Sequence, residues 1–78
     1  MRNQIFEKLE NICKDFFEND NLSISPDSNL NTDLGLNSID YVSFINEIKV
    51  DFGIKIKLNE FNSLFTINDI IDLIESKL

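Results

Sequence analysis

The chain contains no histidine, a single cysteine, a single proline and two glycines. Each shortage removes a class of chemistry. Without histidine there is no catalytic triad and no imidazole general base, and a zinc site would need one thiol plus carboxylates. Two glycines, Gly35 and Gly53, cannot build a glycine-rich phosphate loop. One cysteine excludes an internal disulfide. Cys13 also falls on an apolar stripe, where an inert core thiol is the expectation rather than a nucleophile. Apolar runs are short, and none approaches the roughly 18 residues that span a bilayer. The start, Met1-Arg2-Asn3-Gln4, lacks the apolar segment of a signal peptide. A soluble cytoplasmic protein that does not insert into membranes is the reading. With no catalytic constellation left, the chain is not read as an enzyme.

Basic residues are scarce too. Seven Lys and Arg face fourteen Asp and Glu, for a net charge of −7. No Lys or Arg occurs between Lys14 and Lys49, a stretch holding Asp15, Glu18, Asp20, Asp27, Asp33, Asp40 and Glu47. Such a field repels nucleic acid and anionic lipid and suits partners with basic docking surfaces. Charge that merely keeps a small protein in solution explains the excess equally well.

What is present is a core's worth of large side chains, including seven Phe, in 78 residues. That length predicts one domain over residues 1–78, near the lower size limit for folding without metal or disulfides. Ile5, Phe6, Leu9, Ile12, Cys13, Phe16 and Phe17 recur at helical spacing and predict a first helix, ended by Glu18-Asn19-Asp20-Asn21. A long connection follows, to about Asn37. Leu22, Ile24, Leu30, Leu34 and Leu36 punctuate it, so it is expected to lie pinned across the bundle. A second helix begins near Ser38, with Asn37 as N-cap, Asp40 three residues on, and Gly53 as C-terminal cap. Tyr41, Phe44, Ile45, Ile48 and Phe52 form its core stripe. Ile54 to Leu58 reads as an extended link with its Ile residues inward, and a short helical turn is expected around Asn59–Leu64. Thr66 and Asp69 start a last helix with Ile67, Ile70, Ile71, Ile74 and Leu78 on one face. The fold class is therefore all-α: a small bundle of three main helices plus one short helix, with a long loop between the first and second.

One false lead lies in that loop. Asp27, Asn29 and Asn31 match positions 1, 3 and 5 of a calcium loop, but Thr32 replaces the required glycine and Ser38 the bidentate Glu. No metal site is expected. The remaining feature is Asp33-Leu34-Gly35-Leu36-Asn37-Ser38-Ile39-Asp40. It sets a serine hydroxyl at a helix N-terminus, where unpaired N–H groups and the helix dipole favour a phosphate. Gly35 permits a tight turn, and Leu34 and Leu36 anchor the loop. On these residues alone an ordinary helix-start serine is the better explanation.

The octet resembles the D-L-G-x-D-S-[LI] signature of the acyl carrier protein family, which includes polyketide and peptidyl carrier domains. Phe52-Gly53-Ile54-Lys55-Ile56 is similar to the family's F-G-x-x-I, and Thr66-Ile67-Asn68-Asp69 fits the start of its last helix. The length and acidity agree, and the resemblance runs from about Ile5 to Leu78. It implies 4′-phosphopantetheine, transferred from coenzyme A to Ser38 by a phosphopantetheinyl transferase. The arm's thiol would then carry acyl, aminoacyl or ketide groups as thioesters to enzymes of fatty-acid, polyketide or peptide-type assembly. The protein would act as a monomer. Rival readings are a carrier-like adaptor that is never modified and an unrelated acidic helical interaction domain.

Two departures narrow the expectation. Asn37 stands where the family usually has Asp, which keeps N-capping ability but removes a charge that partners read. On a helical wheel, Ile39, Asn46 and Val50 lie opposite the core stripe and Val42 borders them. Candidate docking residues are thus Asn37, Ile39, Asp40, Val42, Asn46 and Val50. Ser43 and Val50 occupy positions where the family commonly carries acids, so docking is expected to be more apolar and to serve a specialised pathway. The bulk of Phe44 suggests short or polar cargo.

Overall fold

A computed structural model describes residues 2–78, apart from the side chains of Leu58 and Phe61. Met1, and the side chain of Leu58 at the end of the alternating segment, lie outside the described residues. The elements are α1 (Arg2–Phe16), α2 (Ser38–Phe52), α3 (Leu58–Phe61) and α4 (Ile67–Lys77). Among the described residues there is no strand, only an isolated antiparallel bridge between Asn29 and Thr66. The expected bundle of three main helices and one short helix is what forms. The short helix starts one residue before the expected turn.

Local signals place the helix ends. α1 stops at Phe16, and Glu18 follows in the left-handed region at φ 53°. Gly53, at φ 64°, closes α2 by donating its N–H to the Lys49 carbonyl, a conformation that glycine takes without a Cβ penalty. Thr66 and Asp69 form a reciprocal capping box on α4. Asn37 caps α2 from one side only, its Oδ1 accepting the Asp40 N–H.

The apolar stripes meet in one connected core. Ile5, Leu9, Ile12 and Cys13 of α1 pack with Phe44, Ile45 and Ile48 of α2 and with Ile67, Ile70, Ile71 and Ile74 of α4. α1 contacts both of the other long helices. Full burial of one such side chain stabilises by about 1.5–3 kcal/mol. Phe16 stacks edge-on against the buried Phe44 ring, at 5.5 Å between centroids. Leu78 departs from expectation: it is exposed, because the helical geometry that carries the α4 stripe ends at Lys77.

The long connection is pinned as predicted. Ile24, Leu30 and Leu36 are buried, with Leu22 and Leu34 packed against them. Its backbone also serves α4: Ser28 and Pro26 carbonyls accept the Ile67 and Asn68 N–H groups at 3.1 and 2.9 Å. Leu30 N–H donates to the Phe65 carbonyl at 2.9 Å. The bonds from Ile67 and Asn68 satisfy first-turn amides of α4 that would otherwise be orphaned, and all three fix the loop beside the start of α2. Among the described residues, no helix is long and apolar enough to cross a membrane.

Candidate functional site

The segment before α2 is a built turn. Asn29 Oδ1 accepts the Asn31 and Thr32 N–H groups at 2.8 and 2.9 Å, and the Asp33 carboxylate accepts the Asn29 N–H at 2.7 Å. Asn29, considered above for calcium, thus spends its side-chain oxygen on backbone. Gly35 turns at φ 71°, with its N–H bonded to the Asn31 carbonyl. Leu36 drops into the core, and its carbonyl accepts the Asn31 side-chain N–H at 3.0 Å. Asp33, Gly35 and Leu36 together deliver the chain to Asn37 and Ser38 in a fixed path.

Ser38 is the first residue of α2 and is exposed. Asn37 Oδ1 takes the Asp40 N–H at 2.8 Å, and the Asn37 carbonyl takes that of Tyr41. Among the described residues, no hydrogen bond engages the Ser38 hydroxyl or the Ser38 and Ile39 amides. The start of α4 is unlike this, since loop carbonyls and Thr66 take its first amides. The start of α2 therefore keeps donors and a positive dipole end directed at solvent beside a free hydroxyl. That is a fitting place for a phosphodiester.

A groove of about 540 Å³ opens beside Ser38, between the 29–37 turn, the first turns of α2 and the 62–65 segment. Its size lies in the roughly 300–1,000 Å³ range of small-molecule clefts. Tyr41 donates its hydroxyl to the Leu64 carbonyl at 3.2 Å. Burial pushes its pKa up, with Asp69 adding to the effect, so the phenol stays protonated.

Four of the predicted docking residues, Ile39, Val42, Asn46 and Val50, fall on one accessible side of α2, while Asn37 is its N-cap and Asp40 lies about 100° round the helix from Ile39. Ile39, Val42 and Val50 are 78%, 50% and 79% exposed, Asn37 and Asn46 are exposed, and Asp40 is half-buried. From Ile39 to Val50 the stripe runs about 16 Å along the helix, starting one residue after Ser38. Sequence reasoning missed Phe65. It lines the groove and is 62% exposed. Its position directly before the Thr66 cap was the only local signal, and such a residue ordinarily packs inward as a hydrophobic staple.

Cys13 is buried among apolar side chains, and burial pushes its thiol up to about 12. It is a core residue and far from reactive.

Residues 7–74 match the family described as phosphopantetheine attachment site. An acyl carrier protein of Coprothermobacter proteolyticus is 34% identical over 77 residues, covering 99% of this chain and 94% of that one. The chain belongs to the acyl carrier protein family. The corresponding carrier of Lactobacillus acidophilus is 36% identical over 73 residues, 94% of this chain and 91% of that one. Among solved structures, an acyl carrier protein from Thermotoga maritima superimposes with a TM-score of 0.83 at 21% identity, covering 97% of this chain and 88% of that one. A holo acyl carrier protein from Geobacter metallireducens gives 0.80 at 24% identity, over 91% and 82%. These two likenesses confirm the fold. Family membership makes the chain a carrier of 4′-phosphopantetheine, and carriers of this kind present substrates to enzymes instead of transforming them.

Proposed function

We propose that Ser38 is the attachment point of the arm and that this carrier serves a specialised pathway. The observation that carries the first part is the exposed Ser38 hydroxyl beside uncommitted α2 amides, inside the matched residues 7–74. In the transfer, Ser38 Oγ forms a phosphodiester with the pantetheine-side phosphorus of coenzyme A. The pyrophosphate bond breaks, the adenine nucleotide leaves, and the hydroxyl proton passes to the transferase. The Ser38 and Ile39 amides at the start of α2 would hold the resulting phosphate. Once attached, the arm supplies the thiol that carries an acyl, aminoacyl or ketide group as a thioester. The bundle presents that cargo at high effective concentration to each partner enzyme. The bulk of Phe44, fully buried at the centre, favours short or polar cargo.

Intact-mass spectrometry tests the attachment. Incubation with coenzyme A and a promiscuous phosphopantetheinyl transferase should add about 340 Da, the mass of the arm. The Ser38→Ala variant should gain nothing. Wild type that stays unmodified with several transferases would sink the assignment and favour an adaptor role.

The second part rests on the face of α2. Ile39, Val42, Asn46 and Val50 form an exposed stripe of uncharged residues, bordered by the exposed Glu47 and the half-buried Asp40. Partner enzymes are read as docking there through apolar contact, and Asn37 removes one more charge beside Ser38. The carrier is read as working in the cytoplasm as a monomer of one domain. Partner affinity should fall only shallowly as salt rises, because few screened ion pairs contribute. A steep salt dependence would overturn the apolar reading and leave Ser38 untouched.

A further inference from the structure

Eleven asparagines are spread along the chain, and only Asn37 and Asn62 are followed by a residue as small as serine. A small following residue leaves its backbone nitrogen open to the asparagine side chain, with which it can close a five-membered ring. The fold separates the two pairs. Asn37 has ψ 179°, which leaves the Ser38 nitrogen staggered next to the Asn37 Cβ, one torsional step from the eclipsed arrangement that ring closure needs. Asn62 has ψ −14°, which carries the Ser63 nitrogen further round from its own Cβ. The Ser63 N–H is also committed to the Glu60 carbonyl, at 3.2 Å. Among the described residues, no hydrogen bond engages the Ser38 N–H, so moving it breaks no bond of the helix.

The surroundings of Asn37 supply a second, independent argument. Its Oδ1 accepts the Asp40 N–H at 2.8 Å. The carbonyl under attack is therefore already polarised, and its oxygen keeps a donor when it becomes an oxyanion. The positive end of α2 favours negative charge at the same place, on that oxygen and on a deprotonated Ser38 nitrogen. Both residues are exposed, so water and base reach them. Asn62 has the opposite setting: it closes the carbonyl end of α3, where the dipole disfavours negative charge.

We infer that Asn37 is a site of spontaneous deamidation, converting in the apo protein to aspartate or isoaspartate through a cyclic imide with Ser38. Base removes the Ser38 amide proton, and the nitrogen attacks Asn37 Cγ. The N–Cγ bond forms, the Cγ–Nδ2 bond breaks, and ammonia leaves with a proton taken from water. Water then opens the imide, and nothing is oxidised or reduced. Breaking the new N–Cγ bond restores the backbone with an aspartate in place of Asn37; breaking the original peptide bond leaves an isoaspartyl link. The aspartate keeps the cap and adds the charge that Asn37 lacks beside Ser38. The isoaspartate lengthens the backbone by one methylene and displaces Ser38 from the cap. This chemistry does not depend on Ser38 being the attachment point, whereas its effect on arm transfer rests on that reading. A phosphodiester on Ser38 opposes deprotonation of the adjacent nitrogen, so the change counts the time a chain waits without its arm.

The experiment incubates native apo protein in heavy-oxygen water at mildly alkaline pH and follows oxygen uptake at each asparagine by peptide mass spectrometry. Fragmentation separates aspartate from isoaspartate, and Asn37→Asp serves as the product standard. Asn37 should react several-fold faster than Asn62, at a rate that rises with hydroxide. Once urea unfolds the chain, the two sites should react at similar rates. Ser38→Val, whose branched side chain crowds the nitrogen, should slow Asn37 and leave Asn62 unchanged. Holo protein should react more slowly than apo. Native reaction at Asn62 that equals or outpaces Asn37 overturns the inference. A preference for Asn37 that persists unchanged in urea also overturns it, because the fold would then not be its source. Holo protein as fast as apo overturns the protection by the arm. If no arm can be added, the attachment reading fails, and the native comparison of Asn37 with Asn62 still decides the deamidation.

Discussion

Asn37 Oδ1 accepts the backbone N–H of Asp40 at 2.8 Å, so the residue beside Ser38 is committed to capping the helix that presents it. Asn37→Ala removes the cap and should cost about 1 kcal/mol in urea unfolding. Asn37→Asp keeps the acceptor and adds negative charge at a helix start, a change that favours the fold by about 0.3–1 kcal/mol. The Asp variant should therefore equal or exceed wild type in stability while altering the rate at which different transferases modify Ser38. Equal losses in both variants would show that capping is not what Asn37 contributes.

The buried Cys13 thiol offers a clean count of exposed thiols. With its pKa pushed up to about 12, its thiolate fraction near neutral pH is roughly a thousand-fold below that of a free thiol of pKa ~8.5. Apo protein should show almost no fast reaction with a thiol reagent until denaturant is added. Holo protein should show one fast equivalent from the arm, and Ser38→Ala none. Fast alkylation of native apo protein would mean that the core around Leu9, Ile12 and Cys13 opens readily.

Much of this was legible because the deciding signals are local. The stripes of α1, α2 and α4, the Asn37 cap, Gly53 and the Thr66–Asp69 box each depend on residues within about one turn of one another. The exposed Ile39–Val50 stripe followed from the same periodicity. The groove was not legible, because its walls come from three separate segments. Phe65 stays out at the groove through bonds to Leu30 and Asp69, and only the first of these is distant in sequence. Arg2, whose guanidinium pairs with Asn68, Asp72 and Glu75 at the far end of the chain, gave no pattern that a window could detect. Leu78 fitted the α4 period and still lies exposed, since periodicity does not say where a helix ends.

Glu60 ties α3 to the rest of the bundle and should make that region sensitive to acid. Its carboxylate accepts the Lys57 N–H and the Lys77 ammonium, both at 2.9 Å. The Lys57 backbone bond first, then Lys77, lowers its pKa below the ordinary 4.5. A group whose folded pKa is depressed stabilises the fold fully above its unfolded value and loses that contribution as pH falls through the folded one. Wild type should thus exceed Glu60→Gln in urea midpoint at pH 7, and the two should converge once the pH drops below 4.5 and through the lowered value. A difference that persists unchanged in strong acid would show that the carboxylate's charge is not the source.

Gly35 is the last hinge on the path to Ser38, and its replacement separates strain from crowding. It sits at φ 71°, and a Cβ added there would meet nothing within 4 Å. The cost of Gly35→Ala is therefore backbone strain alone, about 1–2 kcal/mol. Asn visits the left-handed region more readily, so Gly35→Asn should cost less than Gly35→Ala. The Gly35 N–H bond to Asn31 and the burial of Leu36 hold the turn in place, so the strained variant should keep its geometry. Urea midpoints should fall in the order wild type, Asn, Ala, while mass spectrometry still finds the arm added at Ser38 in all three. A Gly35→Ala protein that is stable but no longer modified would mean that the turn relaxes under strain and moves Ser38 away from the transferase.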